Sequence, residues 1–108
     1  MVATASIELE ARNPAANRLR RWQLELGKDL LGAWVAEVRF GRIGSRGRLL
    51  RHAFASEAEA LAYMRRGLRR RATAPARIVV PYLCVSSSVE ARELLDAVGI
   101  DAANRTSR

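Results

Sequence analysis

The chain has few of the residues on which several protein classes depend. It holds one cysteine, Cys84, and one histidine, His52, among 108 residues. A lone cysteine excludes an internal disulfide and is typical of a reducing compartment, so we expect a cytoplasmic protein. A lone histidine without a partner at ligand spacing argues against a zinc site, and we expect His52 on a strand surface. Cys84 lies in an apolar run, which predicts packing rather than nucleophilic chemistry.

Long apolar segments and catalytic constellations are also lacking. No apolar run approaches the roughly 20 residues that a membrane-spanning helix needs. The first ten residues show neither the basic start nor the apolar stretch of a secretory signal. The sequence has no nucleophile–base pair and no phosphate loop that ends in lysine and a hydroxyl residue. We therefore expect a soluble protein that is not an enzyme and uses no cofactor, metal or membrane.

Positive charge is what the chain has in excess. Its formal net charge is +8, and Lys28 is its only lysine, so arginine supplies the surplus. Arginine carries a permanent charge on a planar fork that fits phosphate oxygens. Such a surplus predicts a polyanionic partner, with nucleic acid as the first expectation. A codon bias towards arginine and alanine would explain the shortage of lysine, but not the excess of positive over negative charge.

Alternating apolar and polar residues predict a set of β-strands. The length is that of one domain. Alternation over residues 18–26, 33–40 and 48–54 indicates three clear strands, and residues 6–10 and 78–85 indicate two more. Trp22 and Trp34 fall on the apolar faces of adjacent strands, and we expect both in the core. Pro81 favours an edge position for the last strand.

Two segments change to a helical period. Ser56 and Glu59 form a capping box at the start of a helix whose apolar stripe is Leu61, Met64 and Leu68. Ser87 and Glu90 form a second box before a short helix over residues 89–98. The fold class predicted is α+β: a small antiparallel sheet packed against one main helix, plus a short C-terminal helix. That last helix either covers the sheet edge or docks a partner.

The most informative segment is residues 38–47, with the sequence VRFGRIGSRG. Phe40 ends a strand, and three glycines follow at a spacing of three with arginines between them. Glycine lets the backbone approach a ligand closely, and an aromatic ring at the edge of such a loop can stack on a base or sugar. The pattern predicts a loop that holds the backbone or the end of a nucleic acid. Phe40 shares its strand parity with Trp34 and Val38, so packing in the core is the alternative role.

Residues 40–47 resemble the motif of the WGR domain, Trp-Gly-Arg continued by Ile-Gly and a further glycine. Residues 17–22, 32–34, 54–60 and 69–71 are similar to the family's strand openings, helix start and basic helix end. The resemblance covers roughly residues 7–85. It predicts a WGR-like domain over residues 1–85, with residues 86–108 as a linker and short helix packed on that domain.

The resemblance implies a compact sheet with a flanking helix and a DNA-binding role. In poly(ADP-ribose) polymerases the domain sits at a strand break, where the motif's aromatic ring lies against the terminal nucleotide. Carried onto this chain, the motif residues are Phe40, Gly41 and Arg42. Phenylalanine in place of tryptophan keeps a stacking face but loses area and the indole N–H, so we expect weaker contact.

The predicted site joins the loop to the main helix. Its nucleic-acid-binding residues are Phe40, Gly41, Arg42, Arg46, Arg48, Arg65, Arg69 and Arg70. The expected partner is double-stranded DNA, at its backbone or at an end or break. Solvated surface charge is the simpler interpretation of these arginines, and Arg42 has the further alternative of an ion pair with Glu37. The alternative function is a protein–protein interaction module that uses the same basic surface.

Overall fold

A computed structural model describes residues 2–73 and 81–103 as a five-stranded antiparallel sheet with two α-helices. The strands are β1 (Val2–Asn13), β2 (Arg18–Lys28), β3 (Trp34–Arg42), β4 (Arg48–Phe54) and β5 (Leu83–Ser87). The helices are α1 (Glu57–Ala72) and α2 (Val89–Val98), and a 3-10 turn, Pro14–Ala16, joins β1 to β2. The strand order is β4-β3-β2-β1-β5. This architecture confirms the predicted α+β class.

The core lies between one face of the sheet and the two helices. The register aligns Leu9, Trp22 and Phe40 across β1, β2 and β3, so their side chains share the face towards the helices. We call this the helix face, and the opposite side the open face. Trp22 is buried as predicted, whereas Trp34 is only partly buried. The core side chains that line up with them are Ile7, Leu24, Leu26 and Val38 from the sheet, Met64 and Leu68 from α1, and Ala91 and Leu95 from α2.

Helix α1 crosses the helix face and ends above Trp22. The Ser56 hydroxyl accepts the Glu59 N–H at 3.2 Å and caps its first turn, as predicted. The buried positions are Ala60, Met64 and Leu68, so the stripe is centred nearer to Ala60 than to Leu61, which is only partly buried. Gly67 lies against the indole of Trp22: a Cβ at Gly67 would be 2.9 Å from Cζ2. The helix therefore runs from the Phe54 end of the sheet to the Phe40 end.

Two predictions near the C-terminus are wrong. Strand β5 is displaced towards the C-terminus from the predicted 78–85: Pro81 precedes it, it includes Ser86 and Ser87, and residues 78–80 lie outside the described residues. The capping box of Ser87 and Glu90 is not formed. Helix α2 is capped by Ser88, whose hydroxyl accepts the Ser6 N–H at 3.1 Å instead of a helix amide. Ser86, Ser87 and Ser88 therefore connect β5 and the start of α2 to β1.

The chain after α2 returns along the outer edge of β5. The Cys84 N–H donates to the Asp101 carbonyl, and the Ala103 N–H donates to the Cys84 carbonyl, each at 2.8 Å. Cys84 is buried in the core cluster, which confirms its packing role. Neither helix of the described chain is long and apolar enough to cross a bilayer.

Candidate nucleic-acid interface

The loop from β3 to β4 is closed by local hydrogen bonds and by close backbone contact. The Ser45 N–H and hydroxyl both donate to the Arg42 carbonyl, at 3.0 and 2.8 Å. Gly47 has a φ of +70°, and a Cβ there would overlap the Phe40 carbonyl oxygen. A Cβ at Gly41 would be 2.9 Å from the Gly47 Cα. Gly41 and Gly47 therefore allow the loop to fold tightly against the end of β3.

Two arginines of the open face hold the far side of the loop. Arg21 of β2 donates to the Ser45 and Arg46 carbonyls at 2.7 and 3.2 Å, and Arg39 of β3 donates to the Arg46 carbonyl at 3.0 Å. Two guanidinium groups that converge on one short segment restrict its conformations. Sequence reasoning missed this role, because alternation marks both residues only as exposed and does not show that the loop folds back over them.

Phe40 lies where the core meets the loop. Its register neighbours are Trp22 on β2 and Arg48 on β4. The ring packs against the core but is only partly buried. Core packing and an accessible aromatic surface are thus combined at this residue.

A cluster of arginines surrounds Phe40 on the helix face. Arg20 and Arg42 are register partners with the same parity as Trp22 and Phe40, and Arg48 lies beside Phe40. The guanidinium of Arg71, in the last turn of α1, lies 4.8 Å from the Trp22 ring centroid. We call this cluster the cationic end. Its members are Arg20, Arg42, Arg48 and Arg71, and the exposed Arg69 and Arg70 lie in the same last turn of α1.

Comparison with protein families matches residues 5–73 to the WGR domain, which is more than half of the chain. The chain belongs to the WGR domain family. The family's domain is a nucleic-acid-binding module in proteins related to poly(ADP-ribose) polymerases. Neither the comparison with curated proteins nor the comparison with solved structures found a match.

No strand carboxylate of this WGR chain shares the helix face with the cationic end. The chain has 11 acidic residues. By strand parity, four lie on the open face, and the others lie in the β2–β3 turn, in the first turn of α1, and in or after α2. They are, in that order, Glu8, Glu10, Glu25 and Glu37; Asp29; Glu57 and Glu59; and Glu90, Glu93, Asp96 and Asp101.

The ion pairs, like the strand carboxylates, lie on the open face. Arg12 pairs with Glu10, and Arg51 pairs with Glu37, both on the open face. The alternative of an ion pair between Arg42 and Glu37 is therefore wrong. Within residues 2–73 and 81–103, no carboxylate lies within 4 Å of Arg42, Arg46 or Arg48.

The structure brings together part of the predicted site. Phe40, Gly41, Arg42 and Arg48 lie at the cationic end, and Arg69 and Arg70 lie in the last turn of α1, next in sequence to Arg71. Arg46 is exposed at the loop tip, and its carbonyl faces the open side. Helical geometry places Arg65 on the flank of α1 opposite Tyr63, whose ring faces β4. Arg69 follows Arg65 by four residues and lies on the same side of α1, one turn nearer to the end above Trp22. Arg20 belongs to the cluster although it was not predicted, and its parity with Trp22 is the signal that would have identified it.

Metal ligands do not gather in the described part of this WGR chain. In residues 2–73 and 81–103, no three histidine, cysteine, aspartate or glutamate side chains are close enough to hold an ion. The arrangement that stands out is instead a set of guanidinium groups around a partly exposed ring. Such a surface offers hydrogen-bond donors and positive charge, which phosphate oxygens accept.

Proposed function

We propose that this WGR protein is a non-catalytic module that binds DNA with the cationic end. Its arginines contact backbone phosphates, and Phe40 lies against the terminal nucleotide where the DNA has an end. The observation that carries the proposal is the separation of charge: arginines lie around Phe40 on the helix face, and no carboxylate of β1–β4 lies on that face. Electrostatic attraction therefore favours the approach of a polyanion from this side.

The geometry of Phe40 supports contact with an end rather than with the interior of a duplex. Base faces are hidden inside a duplex and become accessible at its terminus. The Phe40 ring is fixed on one side by the core and has Arg42 and Arg48 near it on the sheet. A stacked base is stabilised by about 1–3 kcal/mol on an aromatic side chain, and the neighbouring guanidinium groups are placed to receive the flanking phosphates.

The salt dependence of binding tests the backbone contact. If the cationic end neutralises about four phosphates, the slope of log K against log salt concentration is near −3.6. We expect Arg42→Ala to reduce the magnitude of that slope by about 0.9. Arg51→Ala removes the same charge from the open face, where Glu37 pairs with it, and leaves the slope almost unchanged. Equal effects of the two variants in fluorescence anisotropy would contradict phosphate contact at the cationic end.

Competition between linear and circular DNA tests the end contact. We expect a short linear duplex to compete better than a closed circle of equal mass. Phe40→Leu retains apolar packing but removes the flat ring, so it should weaken that preference without changing the salt slope. Equal competition by the circle with the wild-type protein would remove the end contact and leave binding to the backbone alone.

The same guanidinium groups are able to bind an acidic protein surface, because carboxylates accept the same paired donors. That function has a different signature. It would show binding that persists at moderate salt, with a defined stoichiometry towards a protein and none towards DNA.

A further inference from the structure

A row of side chains continues from the cationic end along the sheet edge. On β4, Arg48, Leu50 and His52 share the helix face and lie beside Phe40, Val38 and Ala36. Arg48 and His52 are exposed, and Leu50 is 37% exposed although it is apolar. Strand β4 therefore contributes little to the core. Its apolar and cationic side chains are accessible next to the proposed DNA site.

Helix α1 lies beside this row and contacts it through Tyr63. The Tyr63 ring centroid lies 5.0 Å from that of His52 and 5.3 Å from that of Phe54. One turn further on, the Arg66 guanidinium lies 6.0 Å from the Tyr63 ring centroid. We call the surface formed by Arg48, Leu50, His52, Tyr63 and Arg66 the β4 groove.

The charge of the β4 groove has one sign. Its members include two arginines, and within the described residues no carboxylate lies within 4 Å of Arg48 or Arg66. The acidic residues closest along the chain are Glu57 and Glu59, in the first turn of α1 beyond Phe54. The groove is therefore cationic from the Phe40 end until it reaches the start of α1.

Flat rings between cations are the features that bind unpaired bases. Aromatic side chains stack on bases of any sequence, while a positively charged groove follows the backbone. Burial raises the pKa of the Tyr63 phenol, against the opposing effect of Arg71 and Arg66, so this ring stays uncharged at neutral pH. A blunt duplex exposes a base face only at its terminal pair, which the proposed function assigns to Phe40, and an acidic peptide would use the arginines of the groove but not its rings.

We propose that the β4 groove binds the unpaired bases of a single-stranded extension on DNA whose duplex end is held at Phe40. The proposal rests on the proposed function for the duplex part of the ligand. It adds a ligand class, duplexes with an overhang, and assigns His52 and Tyr63 as stacking surfaces and Arg48 and Arg66 as phosphate contacts.

Paired binding measurements test this site. Fluorescence anisotropy compares a blunt duplex with the same duplex carrying a three-nucleotide overhang of either polarity, and with the single strand alone. We expect one overhang polarity to bind about fivefold tighter or more, because one stacked base contributes on that order. His52→Ala should abolish the difference and leave the blunt affinity unchanged. Leu49→Ala, on the same strand but the open face and 51% exposed, should change neither.

The outcomes separate this site from the proposed function. Blunt binding without any overhang preference, or a preference that persists in His52→Ala, overturns the β4 groove and leaves the proposed function intact. Loss of all duplex binding, with single-strand binding that depends on His52, retains the groove and overturns the proposed function. Absence of binding to every probe overturns both. Binding of polyglutamate with the same His52 dependence assigns the groove to an acidic protein segment and also overturns the proposal.

Discussion

The role of each glycine in the WGR loop depends on how closely the neighbouring backbone approaches it. Gly47 touches the Phe40 carbonyl, and Gly41 touches Gly47, so neither position has room for a side chain. Gly44 also has a positive φ, of +90°, but has open space around it. The three glycines are equivalent in the sequence pattern and different in the structure, and substitution separates them.

We expect Gly47→Ala to be much more harmful than Gly44→Ala. Both variants place alanine in the left-handed region, at about 1–2 kcal/mol. Gly47→Ala must in addition displace the backbone of β3, and we expect a total loss on the order of 3 kcal/mol or more in urea unfolding. The matched variant Gly44→Ala measures the cost of φ alone. Equal losses would show that Gly47 does not pack against Phe40.

At the scale of elements, strand alternation predicted β1 and β2 because one face of each is buried. Trp22, Leu24 and Leu26 show that pattern without interruption, and the register follows from it. The position of β5 was not predictable in this way. Its serines resemble a turn, and they lie in the strand because β1 and Ser88 provide hydrogen-bond partners that are distant in sequence.

Residues of the candidate site were predictable from the sequence only where a local motif marks them. Phe40 and Arg42 follow from a local motif. The side of α1 on which each arginine lies depends on where the helix packs, and the run of arginines in the sequence does not show this. The contacts of Arg21 and Arg39 depend on the path of the loop, which local sequence does not encode.

Because α1 packs against Trp22 of β2, we expect the usual advantage of alanine over glycine in a helix to be lost at Gly67. In an ordinary helix interior, alanine is more favourable than glycine by about 1 kcal/mol. At Gly67 a Cβ would be 2.9 Å from the buried Trp22 ring, and such overpacking costs about 1–3 kcal/mol. We expect Gly67→Ala to leave the melting temperature unchanged or lower it. Ala62→Gly, on the outer side of the same helix, reports the ordinary backbone term. A clear rise in Tm for Gly67→Ala would contradict the contact with Trp22.

At the scale of the whole molecule, charge and apolar surface are distributed unevenly. The cationic end lies at one end of the β2–β3 hairpin. The opposite end carries Leu30 and Leu31, which are 99% and 94% exposed. Helix α2, which follows the matched residues 5–73, carries Glu90, Glu93 and Asp96 and completes the core with Ala91 and Leu95. Among residues 2–73 and 81–103, positive charge is therefore concentrated on one side, and we expect the attraction of a polyanion to be directional.

The most direct test is to map the surface that meets DNA. We would titrate ¹⁵N-labelled protein with a short blunt duplex and follow the backbone amide resonances. The account predicts the largest shifts at Phe40, Gly41, Arg42 and Arg48 and in the last turn of α1, with almost none in the β2–β3 turn or in α2. Shifts concentrated on α2 or on the open face, or no shifts at low salt, would contradict it.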